Sequence, residues 1–353
     1  MGFDLDSIVR ENIKRLVPYS SARSEYSGKA GIFLDANENS FGSPIFEDYS
    51  RYPDPQQTAI KSKMVAMKGV RSDQIFIGNG SDEAIDLLIR AVCRPGIDNI
   101  LICPPTYGMY EVAASINDVA VKRANLTPDF ALDTKAIEDS IDLNTKLIFL
   151  CSPNNPTGNV VSRDEILQKA ESFHGLVVVD EAYIHFSDQN SLIAEIDKFP
   201  NLVVLQTFSK AWGLAGLRVG LAYANREIIS LLNKIKPPYN VSQIAQDMVL
   251  DAIENQRAVE KTVAEIKHER GRLAEKLKRL SCVERVYPSE ANFLLVKVED
   301  ADKIYRFLVS KQIIVRNRNN VVLCNGCVRI TVGTPDENES LLTVLIEYES
   351  GLK

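Results

Sequence analysis

Six short apolar runs between residues 75 and 225 constrain the fold of this 353-residue chain more than any other feature. They are QIFIGN, NILIC, KLIFLC, LVVVDE, NLVVLQT and RVGLAY, and each is rich in Val, Ile and Leu without alternating in polarity. Such continuous runs are typical of strands buried on both faces of a parallel sheet. The stretches between them, such as SDEAIDLLIRAVC, carry helical apolar spacing behind a serine suited to capping. The pattern predicts an α/β fold, with a mostly parallel central sheet and helices on both faces.

The chain is longer than one hydrophobic core usually serves, and a domain boundary is predicted near KIKPPYNVSQ. Pro237 and Pro238 in this segment cannot continue a helix. Beyond them comes a charge-laced helical stretch that we expect to break into two helices, followed by the strand-like segments NFLLVKV, IIVR and VRITVG. We therefore expect a large domain over 31–238, a smaller α+β domain over 239–353, and an N-terminal arm over 1–30 that joins the small domain or contacts a partner subunit.

Composition argues against several classes of function. The chain has 41 basic and 47 acidic residues, a net charge of −6, whereas a nucleic-acid-binding protein needs a basic face. Its N-terminus has no signal-peptide pattern, and no apolar run approaches the roughly 20 residues of a membrane span. Six cysteines without a secretory signal are typical of reduced thiols in a cytoplasmic protein. The three histidines form no metal-ligand pattern, and Cys324 and Cys327 in CNGC lack further ligands nearby, so we expect no metal.

Side chains suited to one site follow the C-terminal ends of five of these strands, where open α/β sheets bind their ligands. After the first run, NGSDEAIDLL predicts a tight turn and a helix that Ser81 caps and that starts near Asp82. Backbone amides at such a helix start can hold a phosphate. The ends of the next four runs are followed by Tyr107, by Asn155 in SPNNPTG, by Asp180 with Tyr183, and by Lys210.

The two charged residues of this set, Asp180 and Lys210, lie in apolar surroundings, which requires a chemical explanation. Asp180 ends an all-apolar strand, where a carboxylate is costly unless its charge has a partner. Lys210 lies among small and apolar residues, and a lysine is seldom buried unless it is paired or chemically used. Pyridoxal 5′-phosphate requires such a set, because its aldehyde needs a lysine, its ring nitrogen an acid, and its phosphate N–H groups and cations.

Three motifs, SPNNPTG, DEAYIHF and TFSKAWGLAGLRVG, resemble those of the fold-type-I pyridoxal-phosphate aminotransferases over nearly the whole chain. The finer features LDANENS, RYPDP, PPTYGMY and VRITVGT are similar to the histidinol-phosphate aminotransferase branch, which acts in histidine biosynthesis. The resemblance implies transfer of an amino group between L-histidinol phosphate and 2-oxoglutarate, giving imidazole-acetol phosphate and glutamate. A threonine-phosphate decarboxylase, which shares much of the pattern, and a broader aromatic or aspartate-type aminotransferase are the alternatives.

The resemblance also implies how the cofactor is held. Lys210 would bind it covalently and then carry a proton, with a pKa lowered by burial and by nearby Arg218. Asp180 would keep the ring nitrogen protonated. The other contacts would come from Asn155 and Tyr183 at the 3′ oxygen, Tyr107 on the ring face, and Ser209, Arg218 and the amides of Gly80, Ser81 and Asp82 at the phosphate.

Further residues would complete the site from a partner subunit and from the N-terminal part of the chain. Tyr52 in RYPDP would reach the phosphate site of the partner, which implies a homodimer with shared active sites. Tyr19 would cover the substrate, and Asn37 and Glu38 in LDANEN would line the same pocket.

Substrate recognition is expected from arginines of the small domain. By the same resemblance, Arg329 in VRITVG would bind the α-carboxylate of the amino-acid partner through a bidentate fork rather than face solvent. A second arginine would grip the substrate phosphate; Arg316 fits best, and Arg318 stands two residues away on the same strand face. Trp212 lies where a smaller aromatic is commoner in the family, so it either narrows the pocket or fills a gap behind the lysine loop.

Overall fold

The structure is a computed structural model that describes residues 3–19 and 32–351. The larger of its two sheets has seven strands, which are β1 (Ile75–Asn79), β2 (Asn99–Ile102), β3 (Ala120–Arg123), β4 (Thr145–Cys151), β5 (Leu176–Asp180), β6 (Leu202–Thr207) and β7 (Val219–Ala224). Their order in the sheet is β1-β7-β6-β5-β4-β2-β3. Strand β7 is antiparallel to both neighbours, β1 and β6, and the other pairs are parallel. The predicted α/β fold with a mostly parallel sheet is confirmed.

Both faces of this sheet are buried, which explains the continuous apolar runs. In β4, Ile148 and Leu150 enter one core cluster, whereas Leu147 and Phe149 enter a second cluster on the opposite face. The helices that follow or cover the strands are α3 (Thr58–Lys68), α4 (Gly80–Val92), α5 (Met109–Ile116), α6 (Thr134–Ser140), α7 (Arg163–Ser172) and α8 (Arg226–Ile235).

The smaller sheet is antiparallel and has the order β10-β11-β9-β8. Its strands are β8 (Val283–Val286), β9 (Phe293–Val298), β10 (Arg316–Asn317) and β11 (Cys327–Thr331), and the helices of this half are α9 (Gln243–Glu254), α10 (Gln256–Leu277), α11 (Ala301–Ser310) and α12 (Pro335–Ser350). The predicted break of the long helical stretch is confirmed, because α9 and α10 meet at Asn255.

The described part of the N-terminal arm packs on the larger sheet. It forms α1 (Leu5–Ile8) and α2 (Glu11–Arg15), and Ile8 and Val9 are buried in the core cluster that also contains the apolar face of α4. Residues 20–30 of the arm lie outside the described residues, and the domain limits at 30 and 238 stay predictions. None of the described helices is long and apolar enough to cross a membrane.

Lys61 of α3 is a buried lysine, 5% exposed, whose ammonium has no hydrogen-bond or ion-pair partner in the described part of the chain. Burial lowers the pKa of Lys61 to about 8, although the negative charge of Asp54 acts to raise it. We expect Lys61→Met to raise the free energy of unfolding at pH 7 by about 1–3 kcal/mol, because it removes a charge that is partly desolvated in the folded protein. The folded-state pKa lies below the unfolded one, so the gain should be full below pH 8 and vanish as the pH rises towards 10.5.

Urea unfolding at pH 7 and at pH 9.5 measures this gain, and the exposed neighbour Lys63 provides the matched control. Lys63→Met should change the free energy of unfolding by less than about 0.5 kcal/mol at both pH values. A Lys61→Met protein that is less stable than the parent at pH 7 would contradict the interpretation of Lys61 as a cation destabilised by desolvation.

Candidate active site

A cavity of about 780 Å³ lies at the C-terminal edge of the large sheet, with arginines of the small sheet in its wall. It brings together most of the residues predicted from the strand ends. Those that line it are Gly80, Ser81, Asp82, Tyr107, Asn155, Asp180, Tyr183, Ser209, Lys210, Arg218, Arg316, Arg318 and Arg329.

The turn between β1 and α4 differs in detail from its prediction. The helix begins at Gly80, after Asn79, and Ser81 does not cap it, because Gly80 at φ +69° lets the chain turn one residue earlier. The amide of Gly80 is not a free donor as predicted, since it donates to the carbonyl oxygen of Arg218 at 2.8 Å. The amides of Ser81 and Asp82 have no acceptor among the described residues, as is usual for the first turn of a helix.

Asp82 links two of the predicted cofactor residues. Its carboxylate accepts from the guanidinium of Arg218 at 3.0 Å and from the hydroxyl of Tyr107 at 3.1 Å. Arg218 itself has a positive φ of 54°, and a side chain on Gly80 would meet its Nη2 atom at 2.7 Å. Glycine at position 80 therefore gives the Arg218 guanidinium its place beside the helix start.

The side chain of Lys210 projects into the cavity from the loop after β6. Its Nζ atom lies 5.7 Å from the ring centroid of Tyr183. Burial lowers the pKa of Lys210, and the charges of Arg329 and Arg218 lower it further, while Asp180 and Asp82 oppose the shift. The sequence predicted burial and Arg218 as causes. Lys210 lines the cavity and is exposed in it rather than fully buried, and Arg329 is a further cation that lowers its pKa.

Asp180 is buried at the end of β5 and is held by two donors. The hydroxyl of Tyr110 donates to Oδ2 at 2.8 Å, and the amide of Ala182 donates to Oδ1 at 3.0 Å. Burial raises the pKa of Asp180, and these two hydrogen bonds oppose that rise. Tyr110 was not predicted as a site residue, although it stands in the same PPTYGMY motif as Tyr107, one helical turn further along.

Three arginines form a cationic wall opposite the large sheet. The Nη1 atom of Arg329 donates to Oδ1 of Asn155, and its buried Nε has no described partner. Arg316 lies directly opposite Arg329 in the β10–β11 register. Arg318 also has a buried Nε without a described partner, and burial, with the charges of Arg329 and Arg316, lowers the pKa of Arg318 to about 10. No ion pair joins the three to an acid among the described residues, so the wall is suited to an anionic ligand.

Four predicted site residues lie away from this cavity within the single chain. Tyr19 is exposed. Asn37, Glu38 and Tyr52 lie in a second surface pocket of the single chain, so the role of Asn37 and Glu38 at the substrate stays a prediction. The Glu38 carboxylate is instead engaged by the guanidinium of Arg51 at 2.8 Å and by the amide of Tyr52 at 2.7 Å.

Two other sequence features lie outside the cavity wall. Trp212 packs against Phe208, with ring centroids 5.2 Å apart, so it fills space behind the lysine loop. Cys324 and Cys327 are buried free thiols, and the part of the chain described here contains no group of side chains that could hold a metal.

The sequence model of the aminotransferase class I and II family matches residues 33–345. The chain belongs to this family. A histidinol-phosphate aminotransferase from Cytophaga hutchinsonii is 54% identical to it over 348 residues, 99% of this chain and 100% of that protein. The histidinol-phosphate aminotransferase of Parabacteroides distasonis is 52% identical over 342 residues, 97% of this chain and 98% of that protein. These relatives confirm the predicted resemblance of this aminotransferase to the histidinol-phosphate branch.

Solved structures support the same fold for this aminotransferase. The crystal structure of histidinol-phosphate aminotransferase from Sinorhizobium meliloti in complex with pyridoxal 5′-phosphate superposes with a TM-score of 0.80 at 23% identity, over 98% of each chain. The predicted enzyme class, a transaminase that uses pyridoxal 5′-phosphate, is confirmed at the level of the family.

Proposed function

We propose that this aminotransferase transfers the amino group of L-histidinol phosphate to 2-oxoglutarate in histidine biosynthesis, with pyridoxal 5′-phosphate held in the cavity around Lys210. The observation that carries the proposal is the meeting, in one cavity, of a lysine, a buried carboxylate and three arginines that have no acidic partner among the described residues. The full-length similarity to histidinol-phosphate aminotransferases supports the choice of substrate.

The donors and acceptors of the cavity fit this cofactor. Its phosphate is suited to the amides of Ser81 and Asp82, the guanidinium of Arg218 and the hydroxyl of Ser209, all of which face the cavity. Asn155 and Tyr183 would bind the 3′ oxygen, and Tyr107 would pack on the ring. When bound, the cofactor supplies a ring that accepts electrons from the substrate carbon.

Two residues of the chain move or hold protons. Asp180, anchored by Tyr110 and by a backbone amide, would hold a proton on the ring nitrogen, because a buried carboxylate is stabilised by an adjacent positive charge. Lys210 would bind the cofactor aldehyde and, once released by the substrate, take and return the proton of the substrate carbon. Its lowered pKa favours the neutral amine that this step requires.

The arginine wall explains how one site could serve two different substrates. L-histidinol phosphate carries a phosphate, and 2-oxoglutarate carries two carboxylates, so both present anionic groups. Arg329 and Arg316 face each other across the β10–β11 ladder, and Arg318 follows on the same side. A planar guanidinium can bind either a carboxylate or a phosphate through two parallel hydrogen bonds.

We expect Arg316→Gln to lower the preference for phosphorylated over unphosphorylated histidinol by about tenfold or more, since it removes a charged hydrogen bond to the phosphate. Arg316 is our choice because it lies opposite Arg329, where cross-strand side chains are closest. The measurement is kcat/KM for L-histidinol phosphate and for L-histidinol, with Arg318→Gln in parallel. A larger loss of preference in Arg318→Gln would assign the phosphate to Arg318 instead.

We also propose that the enzyme is a homodimer in which Tyr52 reaches the cofactor phosphate of the partner subunit. Tyr52 is 50% exposed and stacks on Tyr239 at 4.4 Å, outside its own cavity. Ile244, an apolar side chain that is 47% exposed, lies in the same surface pocket as Tyr52, as expected of a surface that a second copy covers. Its buried free cysteines support a location in the reducing cytoplasm.

Tyr52→Phe should weaken the affinity for pyridoxal 5′-phosphate by about tenfold, the effect of one hydrogen bond to a charged group, and leave the fold intact. Equilibrium binding to the apoprotein measures this change. Tyr305→Phe is the control. Tyr305 lies on helix α11, in the half of the chain that contains the small sheet, and its hydroxyl has no hydrogen-bond partner among the described residues. Unchanged affinity in Tyr52→Phe would remove Tyr52 from the phosphate site.

A product assay separates the proposed function from its alternatives. With 2-oxoglutarate present, L-histidinol phosphate should give glutamate, and O-phospho-L-threonine should release no carbon dioxide. Release of carbon dioxide without glutamate would identify a decarboxylase. Equal rates with L-histidinol phosphate and with aromatic amino acids would identify a broader aminotransferase.

A further inference from the structure

A cluster of polar side chains lies behind the first turn of α4, on the side away from the cavity. It consists of Gln57, Asn79, Glu83, Lys236 and Asn240, and we call it the Asn240 cluster. Its members come from three segments that are far apart in the sequence. Asn240 touches each of the other four, so it is the centre of the cluster.

The side-chain amide of Asn240 uses all of its hydrogen-bonding capacity. Its Nδ2 atom donates to the carbonyl oxygen of Ile77 and to Oε2 of Glu83, both at 3.0 Å. Its Oδ1 atom accepts from Nζ of Lys236 at 2.8 Å and from Nε2 of Gln57 at 3.3 Å. An amide offers two donors and two acceptor lone pairs, so this set fixes the position and orientation of Asn240.

The backbone of Asn240 also holds Asn79, the last residue of β1. The Nδ2 atom of Asn79 donates to the carbonyl oxygen of Asn240 at 2.5 Å. The backbone amide of Asn79 donates to Oε2 of Glu83, the same oxygen that accepts from Asn240. Asn240 is thus tied to both sides of the turn that carries the amides of Ser81 and Asp82, whose donors have no acceptor among the described residues.

The same cluster holds the loop that follows Tyr52. The ammonium of Lys236 donates to the carbonyl oxygen of Pro55 at 2.6 Å. The ring of Tyr239, the residue before Asn240, stacks on Tyr52 with an angle of 13° between the rings. The helix start and the Tyr52 loop are thus fixed by one polar centre.

We propose that Asn240 is a positioning residue for the phosphate group of the cofactor. Its side chain bonds to the carbonyl oxygen of Ile77 and to Glu83, and so holds the turn between β1 and α4 in the position where the first-turn amides are available to a phosphate dianion. This inference rests on the proposed function, because it concerns the group that binds at those amides. Asn240 does not touch the cavity itself and acts through Asn79 and Glu83.

The test compares the binding of pyridoxal 5′-phosphate and of pyridoxal, which lacks the phosphate, to the apoprotein. Asn240→Ala should weaken pyridoxal 5′-phosphate binding by about tenfold and leave pyridoxal binding unchanged. Asn201→Ala is the matched control, because Asn201 is equally central to a buried network, with bonds to the carbonyl oxygens of Ala170, Phe173 and Gly175, far from the cavity. It should lower thermal stability and keep the ratio of the two affinities.

Asn79→Ala provides a second route, should Asn240→Ala not fold. It removes the hydrogen bond from Nδ2 of Asn79 to the carbonyl oxygen of Asn240, so it should also weaken the binding of pyridoxal 5′-phosphate selectively. Equal weakening of both ligands in a folded variant, or no weakening of either, would overturn the role of Asn240. A parent protein that binds the two ligands equally would overturn the proposed function together with this inference.

Discussion

Lys210→Ala is expected to lower kcat by on the order of 10⁴-fold or more, while the protein still folds and still binds pyridoxal 5′-phosphate non-covalently. No other lysine lines the cavity among the described residues, so none can take over its two tasks. The first task is the covalent hold on the cofactor aldehyde. The second is proton transfer at the substrate carbon, for which burial and two nearby arginines lower the pKa of Lys210.

Steady-state turnover with L-histidinol phosphate and 2-oxoglutarate measures the loss, and circular dichroism establishes that the fold is kept. Lys198→Ala is the control, because Lys198 is an exposed lysine whose only described ion pair is with Glu195. It should leave kcat unchanged. Turnover by Lys210→Ala within tenfold of the parent would contradict the assignment of Lys210.

Asp180→Asn should lower kcat/KM by on the order of 10²–10³-fold, the usual effect of losing one preorganised electrostatic group. The amide keeps the shape of the carboxylate: its oxygen can still accept from the amide of Ala182, and its NH2 group can donate to the hydroxyl oxygen of Tyr110. It lacks the negative charge that holds a proton on the ring nitrogen. The loss should therefore appear in kcat, with a smaller change in the affinity for the cofactor.

The adjacent residue offers a control for burial alone. Glu181 is as deeply buried as Asp180, but it is engaged by Ser191, by the amide of Leu192 and by Gln206, and it does not line the cavity. Glu181→Gln should change stability and leave kcat/KM within about threefold of the parent value. Equal losses of activity in Asp180→Asn and Glu181→Gln would show that the effect is structural.

In the large sheet, the strands that the sequence predicts are those buried on both faces. The six apolar runs correspond to β1, β2 and β4 to β7, because a strand is continuously apolar only when both of its faces are buried. Strand β3 has the sequence AVKR and was missed. It is an edge strand. Its Lys122 and Arg123 form ion pairs with Asp142 and Glu111 and do not pack in a core.

The cavity was predictable for a related reason, since parallel strands place the loops after their C-terminal ends together. Lys210, Asp180, Asn155 and Tyr107 follow four such strands, and no knowledge of side-chain contacts was needed. The residues behind them were not predictable. Tyr110 reaches Asp180 across 70 residues of sequence and Asn240 reaches Asn79 across 161, so both contacts depend on how the elements pack.

The most direct test of the proposed function is the absorbance spectrum of the cofactor-loaded enzyme when L-histidinol phosphate is added without a keto acid. We predict that the band of the lysine-bound cofactor is replaced by that of the pyridoxamine form, and that 2-oxoglutarate restores it. These two changes are the half-reactions of the proposed transfer. A spectrum that ignores L-histidinol phosphate but responds to another amino donor would contradict the proposed substrate.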